Sequence, residues 1–367
     1  MTRTRLFTLG LLFTLLVTAC SQGLRSETLT PQFGEPTPGD DYANDIDANA
    51  GGVYLDGVWN DRRSLIKFSR SGRIPWVKRL PVTPYSSLAS GPEGGVYLFY
   101  AVEEGADETL EYFIRRYDQA GALVWTRQLT GETLTGDTAA ATDARGNLYV
   151  GISFGEDGVT RTELRKYAPA GTLTWRKQVA EYVSDLDVSA NGFLHTLSTA
   201  RRLTRYKPDG SLLWRITVPE RSSKVAVGRE YDIFVASNPE VTPFNNVTSL
   251  AKYNSRGTKV WERTVREDFI LDLDGLDADD QGNAFLGLSD PPDPKPSDSP
   301  KEFYAYSPGG ERLASQVFDF GTDQPLVGPA AGAEGEVYLT TVDLNTYPAA
   351  GRLLRLVGTT GEVVWEK

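Results

Sequence analysis

Residues 116–125 read Arg-Tyr-Asp-Gln-Ala-Gly-Ala-Leu-Val-Trp, and repetition of this phrase decides the fold. Its pattern is a basic residue, an aromatic residue, three turn residues, a glycine, three more residues and a tryptophan. The clear copies end in Trp76, Trp125, Trp175, Trp214 and Trp261. Two further copies are degenerate, with Ala314 in the tryptophan place of one and Val357 in the aromatic place of the other, which ends in Trp365. A phrase that recurs at a period of roughly 40 to 50 residues is the signature of a repeat architecture.

Each copy of the phrase predicts a β-hairpin. The three residues between the aromatic residue and the glycine suit a type I turn, and the glycine takes a position where a positive φ costs little. Proline stands at the second turn position of three copies, where its fixed φ is favourable: Pro169, Pro208 and Pro308. The tryptophan then opens the second strand and offers a large apolar surface to a neighbouring repeat.

A second hairpin precedes the first in every repeat, built on a short aromatic-aliphatic strand such as Gly52-Val53-Tyr54-Leu55. Each repeat therefore holds four short strands, named a to d in chain order, with no helical periodicity between them. The repeats begin near Asp41, Tyr85, Thr138, Val183, Ser223, Leu273 and Val327. These units predict an all-β fold, a seven-bladed β-propeller of four-stranded antiparallel blades.

The repeat resembles known propeller families. The turn-and-tryptophan phrase is similar to the tryptophan-docking motif of quinoprotein-like propellers, and residues 143–150 (DARGNLYV) resemble a bacterial D-x-x-G-N-x-Y-V repeat. The resemblance covers most of the chain and implies the fold, whereas propellers host many unrelated functions. The sequence leaves two ways of closing the ring: side-chain packing alone, or an added edge strand from residues 29–33.

The N-terminus predicts export and lipidation. Residues 1–19 are typical of a signal peptide, with Arg3 and Arg5 before an apolar run too short to span a bilayer. Residues 17–20 (VTAC) match the bacterial lipobox, which implies cleavage before Cys20 and a lipid on its sulfur; the alternative is an ordinary secretory signal. Residues 20–39 are then a lipidated, flexible tether and residues 40–367 the propeller. We expect an extracytoplasmic, lipid-anchored protein at the outer membrane or cell surface.

Composition narrows the range of partners. The chain has a formal net charge of −11 and a single cysteine. The charge argues against nucleic acid as a partner and against electrostatic docking on anionic lipid. One cysteine leaves no internal disulfide and no thiolate metal site. We expect no cofactor and a monomeric domain.

Binding residues are expected on one face of the ring. The a–b and c–d connections must share one face, and the b–c and d–a connections, which are longer and more variable, share the other. Variable loops on a rigid scaffold concentrate binding residues. We predict that an envelope protein or polysaccharide meets Trp59, Tyr85, Phe244, Asn245, Asn246 and Tyr347 on this second face. The alternative is that each of these is an ordinary, partly buried loop residue.

Aspartates gather on the predicted inner strands of blades 1, 4 and 6: Asp45, Asp47, Asp185, Asp187, Asp272, Asp274 and Asp277. Asp187 and Asp277 fall where several blades have alanine, and inner strands line the axial channel. Asp187, Asp277 and Asp279 are therefore weak candidates for a cation site. We favour a solvated acidic channel without metal, because the calcium-loop pattern that starts at Asp277 has Leu288 where the twelfth position needs glutamate.

No catalytic constellation is recognisable in the sequence. The one histidine, His195, stands where three other blades have tyrosine, which predicts packing rather than catalysis. We therefore expect a non-enzymatic binding or scaffolding platform in the cell envelope. Two alternatives stay open, a carbohydrate-active or quinone-dependent enzyme with a site at the channel mouth and a surface stalk with no small ligand.

Overall fold

A computed structural model describes residues 42–59, 62–81, 86–104, 109–129, 134–156, 159–228, 232–242, 245–267, 272–289, 301–318, 326–343 and 350–367. Over these ranges the chain is all-β and forms seven antiparallel sheets arranged as the blades of a propeller, which confirms the predicted fold. The predicted signal, Cys20 and the tether lie outside the described residues. The described ranges hold no helix long and apolar enough to cross a membrane.

The first four blades each take one continuous segment of chain, with strands a to d in spatial order from the axis outward. Blade 1 holds β1 (Tyr42–Asn49), β2 (Gly52–Trp59), β3 (Arg62–Phe68) and β4 (Trp76–Arg79). Blade 2 holds β5 (Ser86–Ser90), β6 (Val96–Glu104), β7 (Thr109–Tyr117) and β8 (Leu123–Leu129). Blade 3 holds β9 (Leu134–Thr142), β10 (Leu148–Glu156), β11 (Val159–Tyr167) and β12 (Leu173–Val179). Blade 4 holds β13 (Val183–Val188), β14 (Leu194–Ser198), β15 (Arg202–Tyr206) and β16 (Leu212–Thr217).

The last three blades follow the same plan, with one addition. Blade 5 holds β17 (Ser222–Val227), β18 (Ile233–Ser237), β20 (Asn245–Tyr253) and β21 (Lys259–Glu267), and a short strand β19 (Glu240–Thr242) pairs with the start of β20. Blade 6 holds β22 (Asp272–Ala278), β23 (Ala284–Ser289), β24 (Lys301–Tyr306) and β25 (Arg312–Phe318). Blade 7 holds β26 (Val327–Ala331), β27 (Glu336–Asp343), β28 (Ala350–Val357) and β29 (Val363–Glu366).

The two faces of the ring differ in the lengths of their connections. On the face that carries the a–b and c–d connections, called the turn face, most connections have five residues. On the face that carries the b–c and d–a connections, called the loop face, they range from two residues in the b–c connection of blade 1 to eleven in that of blade 6. The predicted division between a uniform and a variable face is therefore present.

The repeated tryptophans join each blade to the next. In six interfaces the indole N–H donates to a carbonyl in the c–d turn of the neighbouring blade, at 2.8–3.1 Å. The basic residue of strand c donates to the same carbonyl in five of these interfaces: Lys67, Arg116, Lys166, Arg205 and Lys252. Two donors on one turn explain why the phrase pairs a cation with a tryptophan.

The degenerate copies differ from the others as the sequence indicates, with one correction. In blade 6 Ala314 lies opposite Ala305, so both the tryptophan and the cation are missing. In blade 7 Trp365 lies opposite Arg355, and the next residue of the strand, Leu356, therefore occupies the aromatic place. The assignment of that place to Val357 was wrong, because the turn that ends at Gly361 has one more residue than the other six turns.

Ring closure uses the same docking as the other interfaces. Trp365 of blade 7 donates to the carbonyl of Arg70 in the c–d turn of blade 1, at 2.9 Å. The Arg70 guanidinium returns to blade 7, 2.6 Å from a carboxylate oxygen of Glu334 and 2.6 Å from one of Glu336. Among the described residues the end blades share no strand. Side-chain packing therefore closes the ring in this part of the chain, and residues 29–33 lie outside it.

Candidate functional site

The inner strands of all seven blades enclose an axial channel of about 1220 Å³. Because strand a is the innermost strand of each blade, its residues form the channel wall, together with the ends of the a–b turns. Nine aspartates line this channel, and Lys224 is the one cation among the described lining residues. The predicted acidic channel is therefore present.

Three of these aspartates connect neighbouring blades. Asp47, Asp187 and Asp277 each accept a hydrogen bond from the backbone N–H of the following residue, at 2.6–2.7 Å. The second carboxylate oxygen accepts from the inner strand of the next blade, at 2.5–2.7 Å. The donors in the next blade are Ser90, Val227 and Ala331, in that order. We call these three residues the bridging aspartates.

The position of the bridging aspartates follows a pairing rule. Strand pairing places Ala89, Ala141, Ala226 and Ala330 at the equivalent position of the other four blades. Each bridging aspartate accepts hydrogen bonds from its own blade and from the next one. The three bridging aspartates therefore link blade 1 to blade 2, blade 4 to blade 5 and blade 6 to blade 7. An aspartate in every blade would set carboxylates in competition for the same amides. Seven is odd, and blade 3 is left over, with Ala141 at the equivalent position.

A second set of aspartates lies two residues before the bridging aspartates in the same inner strands and also accepts hydrogen bonds from the next blade. Asp45 and Asp185 accept from the amides of Leu88 and Val225 in the next blade, at 2.6 and 2.7 Å. In blade 6 this place is Gly275, and its counterpart in blade 7 is Pro329, which has no N–H to donate. A carboxylate is therefore missing where the donor is missing, which indicates that these aspartates are there to satisfy backbone amides.

Burial in the channel wall raises the pKa of these carboxyls. Loss of hydration raises the pKa of Asp45 to about 7, of Asp47 to about 6 and of Asp277 to about 7, although backbone hydrogen bonds act in the opposite direction. The pKa of Asp187 is raised for the same reason, and the charge of Asp277 raises it further. The folded state therefore binds protons at these sites more tightly than the unfolded chain does.

This proton affinity predicts how stability depends on pH. A raised carboxyl pKa favours the folded state below about pH 4, and this contribution is lost as the pH rises through 6 to 7. We expect the stability advantage of the wild type over Asp277→Asn to shrink from pH 5 to pH 8. Thermal unfolding of both proteins across this range measures it. An advantage that is constant or grows with pH would contradict the shifted titration.

The candidate cation ligands have other partners. Asp187 and Asp277 are committed to backbone amides. Asp279 lies in the a–b turn of blade 6, where it accepts from the backbone and side chain of Asn283 at 2.8 Å. No group of three metal-ligating side chains occurs in the part of the chain that the structure describes. The resemblance of residues 277–282 to a calcium loop is accounted for by this turn.

His195 is wholly buried in β14. Its ring lies 6.4 Å from that of Trp214, and the strand register places it opposite Asp187 and Arg205, as Tyr149 lies opposite Ala141 and Lys166. Burial, and secondarily the charge of Arg205, lowers the pKa of His195 to about 3, so the ring is neutral. His195 does not line the channel. The packing role that its position in the repeat predicts agrees with this placement.

The structure describes three of the six predicted partner-binding residues. Trp59 is half-buried at the loop-face end of β2, edge-to-face with Phe68 at a centroid distance of 6.5 Å. Asn245 and Asn246 begin β20, and Asn246 is 2% exposed. Tyr85, Phe244 and Tyr347 lie outside the described residues. Trp59 is therefore partly accessible to a partner, whereas the Asn246 side chain is buried.

Sequence reasoning missed two arginines on the loop face. Arg201, in the b–c turn of blade 4, has φ 61°, and Arg221, in the connection to blade 5, has φ 50°. Arginine is not a residue that favours this left-handed region, so each position stores backbone strain. The Arg201 guanidinium pairs with Glu220 at 2.6 Å. No sequence signal marks these positions, because glycine or asparagine is the usual residue there.

Comparison with known proteins shows similarity in fold. No protein-family model and no curated protein matches the chain. The β-propeller domain of the Trilobed protease from Pyrococcus furiosus, described as having an open velcro topology, is 15% identical with a TM-score of 0.51, and the match covers 76% of this chain and 84% of that one.

Two further solved structures are similar. A protein of unknown function from Bacteroides caccae is 11% identical with a TM-score of 0.48, over 78% of this chain and 96% of that one. A quinohemoprotein alcohol dehydrogenase from Pseudomonas putida HK5 is 13% identical with a TM-score of 0.48, over 90% of this chain and 68% of that one. Similarity at these identities concerns the fold alone.

Proposed function

We propose that this propeller is a non-enzymatic binding platform of the bacterial cell envelope, held to a membrane by lipid on Cys20. The partner is an envelope protein or polysaccharide, and it binds the loop face. The observation that carries this proposal is the contrast between the faces, with connections of mostly five residues on one and of two to eleven residues on the other. Selection for a common scaffold keeps turns uniform, whereas recognition diversifies loops.

The strained arginines support the same face. Arg201 and Arg221 belong to neighbouring loop-face connections, and backbone strain tends to persist where a surface has a function. A glycine at either position would adopt this conformation at little cost, so the arginine side chain itself is the feature that the position supplies. Guanidinium groups are common anchors of protein interfaces.

Among the described residues, the histidine and the channel aspartates are poorly placed for catalysis. His195 is buried away from the channel, so it does not reach a substrate there. Four of the channel aspartates each accept hydrogen bonds from two backbone amides: Asp45, Asp47, Asp187 and Asp277. These carboxylates stabilise the ring, and a binding role on the loop face uses none of them.

Affinity capture after crosslinking in living cells tests this proposal. We expect a defined envelope partner with the wild type that is lost when Trp59, Phe244 and Tyr347 are changed to alanine. A matched control carries Arg256→Ala, Gln281→Ala and Thr360→Ala on the turn face and is expected to keep the partner. A partner lost only in the control would move the binding site to the turn face and contradict the proposal.

A further inference from the structure

Every large aliphatic residue that is exposed in the described structure lies on an outer strand, strand d of a blade. Their exposed fractions run from 38% to 62%. The ten residues are Leu123, Val124, Leu173, Leu212, Leu213, Val260, Leu313, Val317, Val363 and Val364. Isolated exposed aliphatics are ordinary, but their confinement to one structural position in six of seven blades is not.

Nine of the ten share one height along the propeller axis. They occupy the first or second residue of their strand, immediately after the c–d turn, and Val317 is the exception. Successive strand residues point to opposite sides, so paired residues such as Leu212 and Leu213 flank their blade. The nine residues therefore form a flat ring around the edge of the turn face, called the aliphatic ring.

Charge is sorted by distance from the axis. The seven outer strands carry ten Lys or Arg residues and three Glu residues. The seven inner strands carry eight Asp residues and one Lys. The outer strands thus form a basic rim and the inner strands an acidic axis, although the net charge of the chain is −11. An anion that meets the rim meets positive charge, although the whole protein is acidic.

Two exposed cations, Arg176 and Arg215, follow the first aliphatic residue of their strands by three positions, a rise of roughly 10 Å. Arg127 and Arg263 are also exposed, but their side chains donate to the carbonyls of Gly171 and Gly310 in the neighbouring c–d turns. The two residues at the tip of each c–d turn are mostly small or uncharged; the charged ones are Arg70, Asp209 and Arg256. From its tip inward, the edge of the turn face thus presents mostly uncharged turn residues, then an aliphatic layer, and then the cations Arg176 and Arg215.

We propose that the edge of the turn face docks flat on an anionic lipid bilayer. A flat ring of aliphatic residues matches a flat surface, whereas one globular protein partner would not touch six blades at equal height. Amphipathic segments that bind bilayers insert their apolar side by about 5 to 10 Å, which sets Arg176 and Arg215 at the level of the lipid phosphates. Each such cation near an anionic leaflet adds to the electrostatic attraction.

This docking goes beyond the loop-face platform and does not require the lipid on Cys20. Strand β1 runs from the loop face to the turn face, so Tyr42 enters on the loop face. The 21 residues between Cys20 and Tyr42 span at most roughly 75 Å, more than the height of the blades. A lipid on Cys20 and a docked turn face are therefore compatible, and the loop face then points away from the bilayer.

Vesicle flotation tests the docking. A chain that begins at Ser21 keeps every described strand and the ring closure, and lacks the lipid. We expect it to float with phosphatidylcholine vesicles that contain about 30% phosphatidylglycerol, and to bind pure phosphatidylcholine at least about tenfold more weakly. The variant Leu123→Ser, Val124→Ser, Leu212→Ser and Leu213→Ser is expected to lose about tenfold or more in binding to the anionic vesicles.

Val317→Ser is the matched control. Val317 is 62% exposed, the most of the ten, but it lies at the sixth residue of β25, away from the aliphatic ring. It should bind anionic vesicles like the wild type, and Arg176→Gln with Arg256→Gln should bind them more weakly. No flotation, or equal flotation of the fourfold variant, would overturn the proposal. Light scattering that shows a dimer dissolved by the same four substitutions, without vesicle binding, would also overturn it, by assigning the ring to a second copy.

Discussion

Trp365→Ala is expected to lower the free energy of unfolding by about 3 kcal/mol, the low end for loss of a tryptophan because the side chain is half-buried. The substitution removes the hydrogen bond to the carbonyl of Arg70 and the contact with Tyr338, whose ring lies 6.1 Å away. Urea unfolding measures the loss. Because no described strand joins blades 1 and 7, this interface depends on side chains alone.

Trp125→Ala is the control that separates the loss of ring closure from the loss of tryptophan packing. Trp125 makes the same hydrogen bond at 2.8 Å, but the chain itself connects blades 2 and 3. We expect a similar loss of stability in both variants, and faster amide exchange at β1 and β26 only in Trp365→Ala. Equal exchange at β1 and β26 in the two variants would show that something besides Trp365 and Arg70 closes the ring.

Gly171→Ala is expected to destabilise the protein by about 3 kcal/mol. Gly171 has φ 81°, and a left-handed conformation costs an alanine about 1 to 2 kcal/mol. A Cβ there would also lie 2.9 Å from Trp125, whose ring is fixed by its own hydrogen bond, and overpacking of this kind costs about 1 to 3 kcal/mol. Urea unfolding gives the sum of the two effects.

Gly335 offers the control for this substitution. It has φ 79°, but an added Cβ would meet no atom within 4 Å. Gly335→Ala should therefore show the conformational cost alone, about 1 to 2 kcal/mol. If both alanine variants lost the same stability, the close approach of glycine and tryptophan would not contribute to blade docking.

The repeat made the fold predictable because its physics is local. A type I turn closed by glycine and followed by tryptophan specifies a hairpin within ten residues, and Trp125 or Trp175 shows this without any knowledge of neighbours. The register of blade 7 was missed for the opposite reason. Only the pairing of Arg355 with Trp365 reveals that the preceding turn has an extra residue.

The acidic residues of the channel could be predicted from the sequence, but their hydrogen-bond partners could not. The sequence places Asp187 and Asp277 on inner strands, but their partners are backbone amides some 40 or more residues away, at Val227 and Ala331. A backbone amide leaves no mark in a sequence, so the aspartates were open to interpretation as cation ligands. The radial sorting of charge was hidden likewise, because a net charge averages over the rim and the axis.

The two-faced arrangement has one direct test, photo-crosslinking in cells from matched positions. Ala200, in the b–c turn of blade 4, and Ala120, in the c–d turn of blade 2, are both exposed alanines on opposite faces. A photoreactive residue at position 200 is predicted to crosslink to an envelope partner, and one at position 120 to crosslink to lipid and not to that partner. The same partner captured from position 120 and not from position 200 would contradict the account.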